Sequence, residues 1–328
     1  MNEGSRRVPV CVVDAFADEP LAGNPAGVVF DAESLDENQR QAIANELAVS
    51  ETAFLEPADD ADFRIQFFTP QQEVDLCGHA TIGSLVAALE TGRLTPGEAL
   101  LETNVGELDV ELEPDWTVWL DVDPPAIRSV DLEYDRVADT LGVNVAALEG
   151  MAADLPLAVA SVGVDFLVVP ISYLQDVARA DPNPADVEAL AEAVDADGIH
   201  LITFDTLDPN STVHGRVFAP GIGVPEDPVT GTACGSTAAY LVRYDAFQRT
   251  DPTRIGAEAG EGDTGLGVAI DDGDPTRLQF EQGHFVDRPG KVQVIVDGTV
   301  RIGGRAVVSM TGELWVPDDE DDEIIESG

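Results

Sequence analysis

The chain has 328 residues, and 63 Asp and Glu against 17 Lys and Arg give it a formal net charge of −46. Such a field repels nucleic acid and anionic membranes at ordinary salt. A hydrophobic fraction of 44% still supplies an ordinary globular core, and the length predicts roughly two domains. The acid is spread along the whole chain, Lys291 is the only lysine, and "VPDDEDDEIIESG" at the end is the one continuous acidic run. A uniformly acidic, lysine-poor surface reads as adaptation to high salt, where repulsion is screened. No apolar stretch reaches the length of a membrane span. The N-terminal "MNEGSRRVPV" lacks the apolar region of a signal peptide, so a cytoplasmic protein is expected. Cys11, Cys77 and Cys234 do not make a disulfide framework in a chain this large.

In chain order, "VPVCVVDAFADEP" reads as a strand and "LAGNPAGVVF" as a turn into a second one. Asp36 and Gln39 have capping-box spacing, and Ala42, Ile43 and Leu47 carry a helix to about Val49. "SETAFLEP" and "FRIQFFTPQQEVDL" follow as strands, the second alternating Phe63, Ile65 and Phe67 on one face up to Pro70. "ATIGSLVAALETG" is a helix closed by Gly92, and "ALLETNVGELDVELE" and "WTVWLDVD" are extended. Beyond about residue 123 the order recurs: strand-like "LAVASVGVDFLVVP", the helix "NPADVEALAEAV", then the strand "IHLITFD". "HGRVFAPGIGVPEDPVTGTACGSTAAYLVRY" is extended and breaks at glycines into an apolar helix; "LQFEQGHF", "KVQVIV" and "AVVSMTGELWV" close the chain as strands.

A helix apolar on most sides belongs inside something, and each half offers one. The expected fold is α+β: two similar lobes, each a strongly curled β-sheet around a central helix. Residues 1–122 form the first lobe, joined by the last strand at about 306–316, and 123–305 form the second. Residues 317–328 are expected to be a disordered acidic tail. A doubly wound sheet is disfavoured, because strands outnumber helices and hairpin-length connections dominate.

The two apolar helices open alike, with "CGHATIGSLVAAL" and "ACGSTAAYLVRY". The first turn of a helix has unpaired N–H groups and binds carboxylates without a cation, and small residues let a ligand approach. Two such ends facing each other would grip a small acidic molecule; the plainer alternative is close packing. The histidines (His79, His200, His214, His284) are scattered, with no Cys-x-x-Cys or His-x-x-x-His spacing, so no metal site is expected. A Cys77–His79 hydrolase would need contact between the side chains and a third orienting group. Adjacent positions on one helix start are expected to point apart. General acid–base chemistry is left, with Glu51 in "VSETAF" and Asp227 in "PEDPVTGTACG" as candidates. Among 63 carboxylates, spacing alone raises neither above a solvated surface acid.

The ordered set "VDAFADEPLAGNPAGVV", "SETAFL", "IQFFTPQQEVDLCGHATIGS", "RVFAPGIGVPEDPVTGTACGS", "EQG", "RPGKVQV" and "GGRAVVSMTGEL" covers roughly residues 8–316. It resembles the phenazine-biosynthesis PhzF-like family, which shares the diaminopimelate-epimerase fold. The resemblance implies an isomerase of small carboxylate or amino-acid-like substrates that needs neither metal nor coenzyme and assembles as a homodimer. It implies Glu51 as the base that takes a proton from carbon and returns it elsewhere, with His79 and Asp227 beside it. Gly231 and Thr232 fall on the family's glycine and hydroxyl residue after Asp227, and with Gly78, which opens the other helix start, they are expected at the substrate. Diaminopimelate epimerase itself uses two cysteines, and Cys77 and Cys234 look equivalent to them. A thiol at a helix N-terminus has a lowered pKa, so a two-cysteine epimerase or racemase is an alternative. Against it, His79 stands where the epimerase has asparagine. A third reading is a catalytically silent protein that binds a metabolite or partner in the same place.

Overall fold

The computed structural model describes residues 5–150, 155–247 and 275–317; of the acidic tail expected at 317–328, Pro317 ends the last strand and 318–328 lie outside the described residues. β1 (Ser5–Ala15) pairs antiparallel with β2 (Asn24–Val29), and β18 (Ala306–Pro317) covers its other edge. α1 (Glu37–Leu47) starts where the spacing predicts: Gln39 N–H donates to Asp36 Oδ1 at 2.7 Å and Asp36 N–H donates back to Gln39 Oε1 at 3.2 Å. It stops two residues before the expected end, at Ala48 in the left-handed region. β3 (Glu51–Glu56) lies parallel to β2, and β4 (Phe63–Phe68) pairs antiparallel with β3 and with β5 (Glu73–Val74). After α2 (Gly78–Glu90) come β6 (Gly97–Thr103), parallel to β4, then β7 (Gly106–Leu112) and β8 (Val118–Asp121).

The same pairing order then runs again. β9 (Ala126–Ser129) flanks β10 (Ala158–Ser161), which pairs with β11 (Asp165–Pro170). β12 (Gly198–Thr203) is parallel to β11, and β13 (Val213–Ala219) is antiparallel to β12 and to β14 (Val224–Asp227). After α7 (Gly231–Arg243), β15 (Thr276–Gln282) runs parallel to β13, followed by β16 (Gly290–Asp297) and β17 (Thr299–Gly304). Of four shorter helices, α3 (Tyr134–Leu141), α4 (Val145–Glu149) and α5 (Leu174–Arg179) were not evident from the sequence, whereas α6 (Pro184–Glu192) lies within the expected helix "NPADVEALAEAV". Only α6 falls in a stretch with a readable helical pattern.

The fold is mixed α/β, and the described strands are hydrogen-bonded into a single sheet of 18 strands, because β17 pairs with β8. The four parallel pairs make it a mixed sheet, not a chain of hairpins. α2 and α7 are the central helices that their composition demanded: Ala80–Leu89 and Ala233–Leu241 are buried without a break. Ile82 and Leu85 of α2 and Ala238 and Tyr240 of α7 belong to one hydrophobic cluster, and the two helices touch. Each fully buried Leu or Ile contributes about 1.5–3 kcal/mol, so these helices are held by packing on all sides. Among the described residues, no helix is long and apolar enough to cross a membrane.

Candidate active site

Both central helices start without a capping side chain. Cys77 precedes α2 in extended conformation (φ −141°, ψ 112°), and Thr230 precedes α7 in the same way (φ −116°, ψ 101°); neither makes a capping hydrogen bond, although the Ala80 and His79 N–H groups face the Cys77 thiol. No acid stands in either first turn. The orphan donors of the first turns are therefore not neutralised by the helices' own residues. The opening glycines differ. A Cβ on Gly78 would meet nothing within 4 Å, whereas one on Gly231 would meet Phe16 at 3.1 Å and Ile302 at 3.2 Å. Gly78 leaves open approach to the backbone, and Gly231 serves packing.

At the α2 end, β3 begins on Glu51, whose Oε2 lies 3.3 Å from His79 Nε2. Ser50 Oγ donates to Pro25 O at 3.1 Å and so offers a lone pair to His79 Nε2–H, 3.2 Å away. With Nε2 protonated, Nδ1 accepts from the Cys77 thiol, at 3.4 Å. Cys77 and His79 thus meet, contrary to expectation. Cys77 sits outside the helix on an extended residue, which turns its side chain back toward the ring. Glu51 Oε2 is buried and has no hydrogen-bond partner. The Glu51, Cys77 and His79 donor atoms lie within 4.8 Å of one another and could hold a metal ion. Histidine spacing could not show this, because Glu51 arrives from a separate strand.

At the α7 end, Asp227 closes β14. Its Oδ1 accepts from Asn24 Nδ2 at 2.8 Å, its Oδ2 from Thr230 Oγ1 at 2.5 Å, and its carbonyl from Gln282 Nε2 at 2.7 Å. Asn24 also donates to Val229 O at 2.9 Å, and Gln282 Oε1 accepts from Thr230 N–H at 3.2 Å. Burial pushes the Asp227 carboxyl up; His79, Thr230 and Asn24 oppose this and Glu51 adds to it. That mutual influence brings the two helix starts into one electrostatic environment. Thr232, the second residue of α7, is half-buried, and its carbonyl accepts from Ser236 Oγ at 2.8 Å.

The cysteines depart from expectation in two ways. Cys77 is the residue before α2, whereas Cys234 is the fourth residue of α7; on α7 the place of Cys77 is taken by Thr230. The apparent equivalence is a register slip of one helical turn. Both thiols are also pushed well up, not down. Burial is the main cause for each; Glu51 and Asp227 add to it at Cys77, and Asp227 at Cys234. At Cys77 the N–H groups of Ala80 and His79 pull the other way and lose. Cys11 is a core residue of β1, as expected, and burial raises its thiol to about 11.

Sequence reasoning assigned no role to Ser50, Asn24, Thr230 or Gln282. Asn24 and Gln282 stand inside "AGNPAG" and "EQG", but nothing in those strings says that two amides reach one aspartate from strands 203 and 55 residues away.

The phenazine biosynthesis-like protein family model matches residues 13–312. An "uncharacterized isomerase" of Bacillus subtilis is 30% identical over 94% of this chain and 96% of its own length. One of Deinococcus radiodurans is 34% identical over 92% and 93%. A crystal structure of a Bacillus anthracis phenazine biosynthesis protein of the PhzF family superposes with a TM-score of 0.80 at 30% identity, covering 94% of this chain and 99% of that one. A hydroxyproline epimerase from Agrobacterium vitis, solved with trans-4-hydroxy-L-proline, shares the fold at a TM-score of 0.56 and 13% identity, over 98% and 94% of the two chains. The chain belongs to the PhzC-PhzF family of phenazine biosynthesis-like proteins.

Proposed function

We propose that this protein is a cofactor-independent isomerase of a small carboxylate, in which Glu51 takes a proton from carbon and returns it at another position. The carrying observation is Glu51 Oε2: buried, 3.3 Å from His79 Nε2, and without a hydrogen-bond partner. Leaving a buried acceptor unpaired costs about 1–3 kcal/mol, and an unused carboxylate lone pair is what a general base requires. Removing a proton next to a carboxylate builds charge on that group. The uncapped first turns, at Gly78 on one helix and at Gly231 and Thr232 on the other, would stabilise that charge in place. His79 and Asp227 then position the substrate and set the field around Glu51. The isomerase names of the relatives agree with this reading.

The two-thiol alternative fits less well. Catalysis there needs thiolates, and both thiols are disfavoured in that form by burial and by neighbouring carboxylates. Incubation of small amino-acid-like and cyclic dienoic acids in D₂O, with mass-spectrometric detection of carbon-bound deuterium, tests the assignment. Label is expected with the wild-type protein and with Cys234→Ser, and not with Glu51→Gln. Full labelling by Glu51→Gln would sink the assignment, and label lost only in the cysteine variants would install the thiols instead.

A further inference from the structure

We propose that Glu51, Cys77 and His79 also form a binding site for a thiophilic divalent cation such as Zn²⁺, which competes with the substrate for the catalytic carboxylate. One thiol, one imidazole and one carboxylate are a donor set that zinc accepts. The distances fit. Zinc bonds of about 2.0–2.3 Å at tetrahedral angles place N and O about 3.3 Å apart, and S and N about 3.6 Å apart. Glu51 Oε2 and His79 Nε2 are 3.3 Å apart, and Cys77 Sγ is 4.0 Å from the same nitrogen. The N–O edge is already at length; Cys77 Sγ stands nearer His79 Nδ1, at 3.4 Å, and must turn toward Nε2 and Glu51 to complete the set. Glu51 Oε2 has no competing hydrogen bond to lose. Three protein ligands leave the fourth position to water, the pattern of open zinc sites.

Charge favours the site as well: a carboxylate and a thiolate neutralise a divalent cation, and a net charge of −46 concentrates cations around the molecule. On binding, the Cys77 S–H bond breaks, its proton leaves to solvent, and the sulfur lone pair goes to the metal. The His79 proton moves from Nε2 to Nδ1, so one proton is released per metal bound. With Oε2 on the metal, Glu51 no longer accepts a proton from carbon. The inhibitory consequence rests on the function proposed above; the binding itself does not.

Exposed carboxylates will also bind divalent ions, so the probe must report sulfur. Titration with Co²⁺ is expected to give a sulfur-to-cobalt charge-transfer band and four-coordinate d–d bands that saturate at one equivalent and are displaced by Zn²⁺. Cys77→Ser should abolish the charge-transfer band and weaken Zn²⁺ binding by more than about 100-fold, beyond the loss typical of an outer-shell partner. Cys11→Ala should keep both. No charge-transfer band in the wild type, or an unchanged band in Cys77→Ser, overturns the inference. A saturable band together with a metal-free protein that labels no acid in D₂O leaves the site standing and removes the isomerase reading. Turnover unaffected by Zn²⁺ at saturation of the band removes the competition.

Discussion

The start of α2 and the start of α7 stand in equivalent places of a twice-run strand order, yet their polar groups are in opposite states. Around α2, Glu51 keeps a buried oxygen unpaired, and Cys77, His79 and Ser50 form a chain in which protons have more than one place to sit. Around α7, Asp227 is held through three of its atoms by Asn24, Thr230 and Gln282. On the proposed function, one end moves the proton and the other is a fixed carboxylate that shapes the field. The lesson is that a duplicated scaffold divides labour through hydrogen-bond satisfaction, not through residue type, since both ends carry an acid.

Breaking the active end should have the largest effect. Glu51→Gln keeps the shape of the side chain and removes its basicity, so kcat for isomerisation or for deuterium exchange should fall by about 10²–10⁴-fold. A smaller loss, with the pH profile unchanged, would mean that a second group carries the proton.

The α7 half carries a further burden that the α2 half lacks. His200 on β12 is buried, sits against Thr237 Oγ1 at 2.7 Å and Ala233 O at 3.2 Å, and leaves Nε2 unpaired. Burial pulls its pKa down to about 4, and burial with His284, Arg216 and His200 around it pulls that of His214 down to about 3. The neutral forms are favoured in the folded chain, so between pH 6.5 and 4 the unfolded chain binds more protons. Stability therefore falls as the pH drops through that window. His200 alone is expected to contribute a loss of about 3 kcal/mol by pH 4. Melting temperature followed against pH should show this slope in the wild type and a flatter one in His200→Gln. An equal slope would clear His200.

Next in size is Asn24→Ala. It strips one hydrogen bond from a buried carboxylate, an interaction of about 1.5–3 kcal/mol, and should lower kcat/KM by about 10–100-fold. Without that donor the Asp227 carboxyl is pushed further up, so the limb of the kcat/KM profile belonging to it should move to higher pH. A rate loss with no movement of the profile would make Asn24 a structural residue only.

The two central helices were legible in the sequence because their apolar residues leave no polar face, and burial follows from that alone. The α1 capping box was legible because its two partners are three residues apart. Residues that act across the chain were not. The Asp36–Gln39 signal is local, whereas the Asn24–Asp227 bond joins β2 to β14 across 203 residues of sequence. The Glu51–His79 approach likewise depends on β3 lying beside β2. The cysteine register was misread for a related reason: "CG" recurs in both helix starts, but the helices begin on Gly78 and Gly231, so matching the letters shifted α7 by a turn. The short helices α3, α4 and α5 run 8, 5 and 6 residues, too few for periodicity to speak.

The smallest contrast is the most direct test of the two starts, because it uses the same substitution twice. In Gly231→Ala the new methyl would press on Phe16 and Ile302 at 3.1 and 3.2 Å. Phe16 has little room to retreat: its backbone lies in the left-handed region (φ 62°), and its N–H and C=O are bonded to Arg305 O at 2.7 Å and Lys291 N at 2.8 Å. Overpacking of this kind costs about 1–3 kcal/mol, so the melting temperature should fall while KM for substrate changes little in the protein that remains folded. In Gly78→Ala the methyl enters open space, so stability should stay within about 0.5 kcal/mol. If a carboxylate docks on that first turn, KM should rise, because the methyl stands in the approach to the backbone N–H. Equal behaviour of the two variants would erase the distinction between an access glycine and a packing glycine, and with it the reason for placing the ligand at α2.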